Sequence, residues 1–211
     1  EIDIMQKLRH PNIVQLYASV KTKGHIYLLL EFCGGGDLHR YILRRNRLSH
    51  DEALRFMRHL AAGLEFLWSR ALVHRDLKPH NLLLSEASPR AVLKIADFGF
   101  ARHLSEATMA ETLCGSPLYM APEILRHRKY DAKADLWSVG AILFQMLVGR
   151  PPFQGANPGE LLNNIERTSE ISVPPSADAS KEAVDLIRRL LRKNPTERIS
   201  FTEFFESPYL A

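Results

Sequence analysis

The stretch Val73-His74-Arg75-Asp76-Leu77-Lys78-Pro79-His80-Asn81-Leu82-Leu83-Leu84 constrains this chain more than any other. Its ends are apolar, which predicts that both are anchored in a core. Between them lie two cations, a carboxylate and an amide: Arg75, Lys78, Asp76 and Asn81. A second apolar run, Ile95-Ala96, leads into Asp97-Phe98-Gly99. A loop with Asp, Lys and Asn, followed by another Asp, suits a metal-bound polyphosphate. In that chemistry Asp76 accepts a hydroxyl proton and Lys78 neutralises charge on the moving phosphoryl group. Asn81 and Asp97 supply oxygens to Mg²⁺.

Composition sets the outer limits. With 211 residues, 45% of them hydrophobic and 25% charged, the chain reads as soluble and globular, with room for one large domain or two small ones. Net charge is +4, but cations and acids are interleaved, so they read as a solvated face and no nucleic-acid partner is expected. Cys33 and Cys114 match no metal-ligand spacing, which predicts free thiols in a reducing, cytoplasmic setting. The apolar segment 139–148 is interrupted by Gln145 and falls short of the ~18 residues a bilayer span requires.

Periodicity predicts a small strand-bearing piece followed by a mainly helical one. Ile2, Met5 and Leu8 have helical spacing, and His10-Pro11-Asn12 stops that helix. Residues 13–20 and 25–32 read as a hairpin, and Gly34-Gly35-Gly36 as a break in regular structure. Helices are predicted at 37–45, with Asp37 as N-cap, and at 49–69, with Ser49 and Glu52 as a capping box. A strand pair is predicted at 81–84 and 92–95, then an aperiodic loop to Ser116. Further helices follow at 132–148, 157–167, 181–192 and 201–205. Trp68 and Trp137 read as core aromatics, and His74 as a packed core histidine.

Taken together, His74-Arg75-Asp76 with Asn81, Asp97-Phe98-Gly99, Ala121-Pro122-Glu123, Asp135-Leu136-Trp137-Ser138-Val139-Gly140 and Arg198 resemble the eukaryotic protein kinases across essentially the whole chain. The resemblance implies an α+β kinase-like fold with ATP and Mg²⁺ as cofactors and protein Ser/Thr hydroxyls as acceptors. A Lys two residues after the catalytic Asp is the serine/threonine pattern. The resemblance also implies that Glu1 pairs with the family's ATP-binding lysine and that Glu31, Phe32 and Cys33 form the adenine hinge. Leu30 is then the gatekeeper, Leu83 packs under adenine and Asp37 approaches the ribose. Leu30 and Leu83 are both expected to be core positions that line a cavity.

Thr112 resembles the threonine that the family phosphorylates, with Arg75 and Arg102 as its cationic receivers. Leu113, Ser116, Pro117 and Met120 are implied to seat the substrate. Glu123 and Arg198 look like the family's buried ion pair. His80 and Gln145 stand where arginine-directed kinases carry acids, so no strong need for an upstream arginine is expected. The runs Glu31–Leu38, Asp97–Arg102 and Gly115–Glu123 are most similar to the autophagy-initiating, Unc-51-like kinases.

The family's glycine-rich loop and ATP-binding lysine are expected before Glu1. The chain is therefore expected to be an N-terminally truncated domain: an N-lobe remnant at 1–32, a connector at 33–36 and a complete C-lobe at 37–211. Regulatory partners are expected to act through regions outside the chain. Alone, it is expected to have little phosphotransfer activity. The competing expectation is a catalytically silent, kinase-like binding module.

Overall fold

A computed structural model describes residues 2–98, 102–103, 117–127 and 131–211. The chain opens with a short helix α1 (Ile2–Met5) and an antiparallel hairpin, β1 (Leu16–Lys21) and β2 (Ile26–Leu30), with an irregularity between Leu16 and Ala18. These two strands form a sheet of their own. Every residue of β2 is exposed, including Tyr27 and Leu29 at about 60%. The expectation that Leu30 is a core position is therefore corrected: it is 39% exposed, because among the described residues β2 has a strand neighbour on one side only. Leu83 is half-buried.

The hairpin is joined to the rest through the segment before it. Asn12 donates its side-chain amide to Leu93 O at 3.0 Å, and its carbonyl accepts the Ile95 N–H at 2.8 Å. The Val14 N–H returns to Ile95 O at 2.9 Å. Lys94, almost fully buried, ends at Pro11 O (2.7 Å) and the Glu31 carboxylate (2.8 Å). A buried ammonium is tolerated there because it has an anion and a carbonyl as acceptors.

The three-glycine stretch does not simply interrupt the chain. Gly34 and Gly35 donate to Ser85 O and Leu84 O, and β3 (Gly36–Asp37) pairs with β5 (Leu82–Leu84), which pairs with β6 (Leu93–Ile95). At Gly35 a Cβ would stand 2.4 Å from Glu86 O, so only glycine allows this edge to close.

Helix α2 (Leu38–Arg45) starts where expected, with Asp37 accepting the Arg40 N–H at 2.8 Å. Helix α3 (His50–Trp68) is capped by Ser49, but the predicted capping box is only half formed. The Glu52 carboxylate turns instead to the Tyr41 hydroxyl and Arg45. Tertiary partners outcompete the local backbone N–H. Trp68 is also less enclosed than expected: it is 38% exposed and stacks on Phe201 at 4.3 Å.

After the short strand β4 (Leu72–Val73), a 3₁₀ turn at Pro79–Asn81 precedes β5, so that strand starts one residue later than predicted. Strand β7 (Arg102–His103) pairs with β4 inside a span that has no periodicity in the sequence. Helix α4 (Pro122–Leu125) was likewise not marked by periodicity.

Helix α5 (Lys133–Val148) is the centre of the mainly helical part and is buried on nearly every face. It ends at Gly149 in the left-handed region (φ 89°), where a Cβ would lie 2.1 Å from Asn46 O. Around it pack α3, α7 (Lys181–Leu190) and the 3₁₀ turn Pro117–Tyr119, with α6 (Pro158–Arg167) and α8 (Phe201–Phe205) outside. Arg198 and Glu123 form the expected buried ion pair, bidentate at 2.7 and 3.0 Å. No helix among the described residues is long and apolar enough to cross a membrane.

Candidate active site

β4 delivers His74 into the core, where its ring is fully buried and lies edge-on to Phe98 at 5.2 Å, with Nε2 3.0 Å from Ala96 O. The backbone N–H groups of His74 and Arg75 donate to Asp135 Oδ2 and Oδ1, at 2.8 and 2.9 Å. Asp135 lies in the first turn of α5, so the central helix holds the entry to the loop directly. Burial pushes the Asp135 carboxyl above the ordinary range, opposed by His74 and the two N–H donors. Arg75 and Asp97 both adopt left-handed backbone, φ 72° and 61°. Such conformations cost on the order of 1–3 kcal/mol and persist only where surrounding contacts impose them.

Asp76 follows, its N–H pointing to His74 Nδ1 at 3.3 Å. Lys78 Nζ donates to Asp76 Oδ2 at 2.6 Å, and Asn81 Nδ2 donates to Asp76 O and Oδ2, both at 2.9 Å. The 3₁₀ turn lets this happen: Pro79 opens it, and Asn81 N–H closes it on Lys78 O. The Asn81 carbonyl accepts the Ala96 N–H at 2.9 Å, placing the residue before Asp97 against the loop. The fold therefore brings together Asp76, Lys78 and Asn81 of the polar cluster picked out in the sequence, while Arg75 is tied through its backbone to Asp135.

The donor set fits a hard dication. With Asn81 Nδ2 engaged by Asp76, its Oδ1 is the group it can offer a cation. One amide oxygen and the Asp97 carboxylate suit Mg²⁺, which keeps positions for water and phosphate. Among the described residues no cluster of three or more His, Cys, Asp or Glu side chains forms an all-protein metal cage.

The hinge residues behave differently from one another. The Glu31 side chain is tied to Lys94 and to the Gln15 N–H, and Phe32 is 89% exposed. Among the described residues no chain group takes the Glu31 carbonyl or the Cys33 N–H, so this backbone has a donor and an acceptor for a flat polar ring edge. Burial, with Glu31 beside it, pushes the Cys33 thiol up and away from reactivity. Asp37 caps α2 and, from the edge strand β3, faces Leu83 on the central strand β5 of the small sheet.

Met120 lines a narrow cleft together with Asp76, Leu77 and Tyr119, and Pro117 opens the 3₁₀ turn beside it. Tyr119 is held by its hydroxyl to Gln145 Oε1 at 2.6 Å and by its carbonyl to Ser138 Oγ at 2.8 Å. Arg102 is placed opposite Val73 by the β4–β7 ladder, two residues from Arg75. Glu1, Thr112, Leu113 and Ser116 lie outside the described residues. Sequence reasoning gave Asp135 and Lys94 no role. Their signals were a carboxylate at the head of an apolar helix and a lysine inside an apolar strand.

A catalytic loop buttressed from a buried helix, beside a strand ending on a carboxylate, is the arrangement of a protein kinase. The protein kinase domain matches residues 1–210, and the chain belongs to that family. Members of this family use ATP with Mg²⁺. Among curated proteins the chain is 52% identical to the serine/threonine-protein kinase ATG1a of Arabidopsis thaliana and 53% to ATG1c, with its whole length aligned in both. It is 47% identical to the serine/threonine-protein kinase ATG1 of Pichia angusta. It spans about a third of the length of these relatives: 34%, 29% and 31%.

Proposed function

We propose that this chain carries the phosphate-transfer machinery of a serine/threonine kinase acting on protein hydroxyls, in signalling of the autophagy-initiating type. The observation that carries the reading is the Asp76 carboxylate, held by Lys78 and Asn81 within hydrogen-bond distance of both. ATP would supply the phosphoryl group and leave as ADP, and its Mg²⁺ would offset the phosphate charge. Asp76 orients the acceptor hydroxyl and takes its proton, while Lys78 moves positive charge toward the transferred group. Asn81 and Asp97 hold the cation, and the backbone of Glu31 and Cys33 holds the adenine edge. The likeness to ATG1 proteins supports the autophagy setting.

His80 and Gln145 support a substrate range without an upstream arginine. Gln145 is buried on Tyr119, and His80 is kept toward its neutral form chiefly by burial and by His39. A phosphate on Thr112, received by Arg75 and Arg102, is the proposed activating signal. One observation favours a second reading: the exposed apolar side chains of β1 and β2 suit a kinase-like module that docks partners without transferring phosphate. Radiolabelled ATP offered with Ser, Thr and Tyr peptides, to a form of the protein that also carries the glycine-rich loop and ATP-binding lysine, separates the two. Transfer to Ser/Thr that disappears in Asp76→Asn supports the kinase; nucleotide-independent partner binding with no transfer supports the module. A peptide array dominated by upstream arginine would overturn the substrate reading, and full activity of Thr112→Ala the regulatory one.

A further inference from the structure

Helix α2 buries Leu38, Tyr41 and Ile42 and turns Arg40, Leu43 and Arg44 outward, a stripe at i, i+3 and i+4. Arg45 and Arg47 follow directly. The charges on this stretch are unevenly matched. Arg40 lies 3.5 Å from Asp37 and Arg45 lies 3.4 Å from Glu52. Arg44 donates its Nε to the Arg40 carbonyl and Arg47 donates Nη1 to the Ser176 carbonyl. Among the described residues neither Arg44 nor Arg47 has a carboxylate partner. Leu43, beside Arg44 on the stripe, is 62% exposed.

The stripe also lies next to the candidate active site. Its N-cap Asp37 pairs with Leu83, and His39 stacks on His80 at 4.1 Å, on the turn that carries Asn81. A ligand on this face would run beside the catalytic loop.

We propose that the outer face of α2 and the turn that follows it are a docking surface for an acidic protein segment with one apolar anchor, the anchor meeting Leu43 and carboxylates meeting Arg44 on the helix and Arg47 just past it. Charge complementarity selects the occupant. Guanidinium groups bind carboxylates in paired hydrogen bonds, and an arginine beside a partly exposed apolar side chain is a common interface centre. A lipid surface fits less well, since a membrane-lying helix needs a broad apolar face and that of α2 is committed to the core. The surface does not depend on phosphate transfer, and a binding assay tests it apart from the kinase reading.

The test is fluorescence anisotropy of a labelled peptide, glutamates flanking a single leucine, titrated with the full chain. Binding is expected to weaken steadily as salt rises, because these charges are exposed. Arg44→Glu is expected to weaken it about tenfold or more, and Leu43→Ser by a smaller factor. Arg90→Glu, on the exposed turn between β5 and β6, changes net charge equally and should leave affinity within about twofold. Circular dichroism checks that each variant is folded, and Arg44→Gln should fall between wild type and Arg44→Glu. The proposal is overturned if the peptide does not bind, or if Arg90→Glu weakens it as much as Arg44→Glu. It is also overturned if phosphatidylserine vesicles bind more tightly than the peptide and are released by Arg44→Glu.

Discussion

At the scale of single residues, two carboxylates close in sequence take different positions because their neighbours differ. Asp76 has Lys78 and Asn81 on one oxygen, while Asp97 sits past the strand end on left-handed backbone. Asp76→Asn keeps the shape of the side chain but cannot accept a proton. In any form of the protein that transfers phosphate, kcat should fall by about 10²–10⁴-fold with nucleotide binding retained, as steady-state kinetics and nucleotide titration will report. Asp135→Asn tests the buttress. An amide offers one oxygen where the carboxylate offers two, so one of the His74 and Arg75 N–H groups loses its acceptor. Urea denaturation should show a loss of about 1–3 kcal/mol. The catalytic residues were legible in the sequence because chemistry restricts their types within a short span. The role of Asp135 was not, because its partners lie 60 and 61 positions away.

At the scale of elements, packing decides which local signals prevail. The Ser49 cap formed, yet Glu52 left the box for Tyr41 and Arg45. The cap of α2 formed as the sequence implied, and α8 carries a complete box of Ser200 and Glu203 that was not read from the sequence. Helices α5 and α7 meet at Gly140, where a Cβ would fall 2.8 Å from Leu190 Cβ and 3.0 Å from Leu191 Cγ. Gly140→Ala must therefore push the helices apart, despite raising helix propensity. A destabilisation of about 1–3 kcal/mol by chemical denaturation is expected. The Glu123–Arg198 pair links α4 to the turn before α8, and Arg198 Nη1 also donates to Lys133 O at the head of α5. Arg198→Met leaves a buried carboxylate without its cation and should cost about 3–5 kcal/mol. Adding Glu123→Leu should recover part of that loss, which a double-mutant cycle measures.

At the scale of the molecule, stability is distributed unevenly. Helix α5 is enclosed by its neighbours, whereas β2 is exposed along its whole length. Among the described elements, native-state hydrogen exchange should be slowest in α5 and fastest in the β1–β2 hairpin. Global stability should also fall in alkali. Burial holds the Tyr119 hydroxyl protonated up to about 12, and raises Tyr209 as well. Below pH 10 folded and unfolded chains both keep the phenolic proton. Between 10 and about 12 the unfolded chain releases it and the folded chain does not, so stability drops by about 1.4 kcal/mol per pH unit for Tyr119. Tyr119→Phe should flatten that part of a stability–pH curve.

The sequence by itself determined the family, the catalytic loop, the long helices and the N-caps at Asp37 and Ser49. Each of these depends on residue type at short spacing, which a linear reading can see. Tertiary structure alone decided that three glycines close a sheet edge and that Lys94 reaches Glu31 through the core. It also decided that Asp135 holds the catalytic loop and that Arg44 on α2 and Arg47 after it have no carboxylate partner among the described residues. Those outcomes depend on groups brought together from distant parts of the chain, where burial rather than local propensity sets the energies.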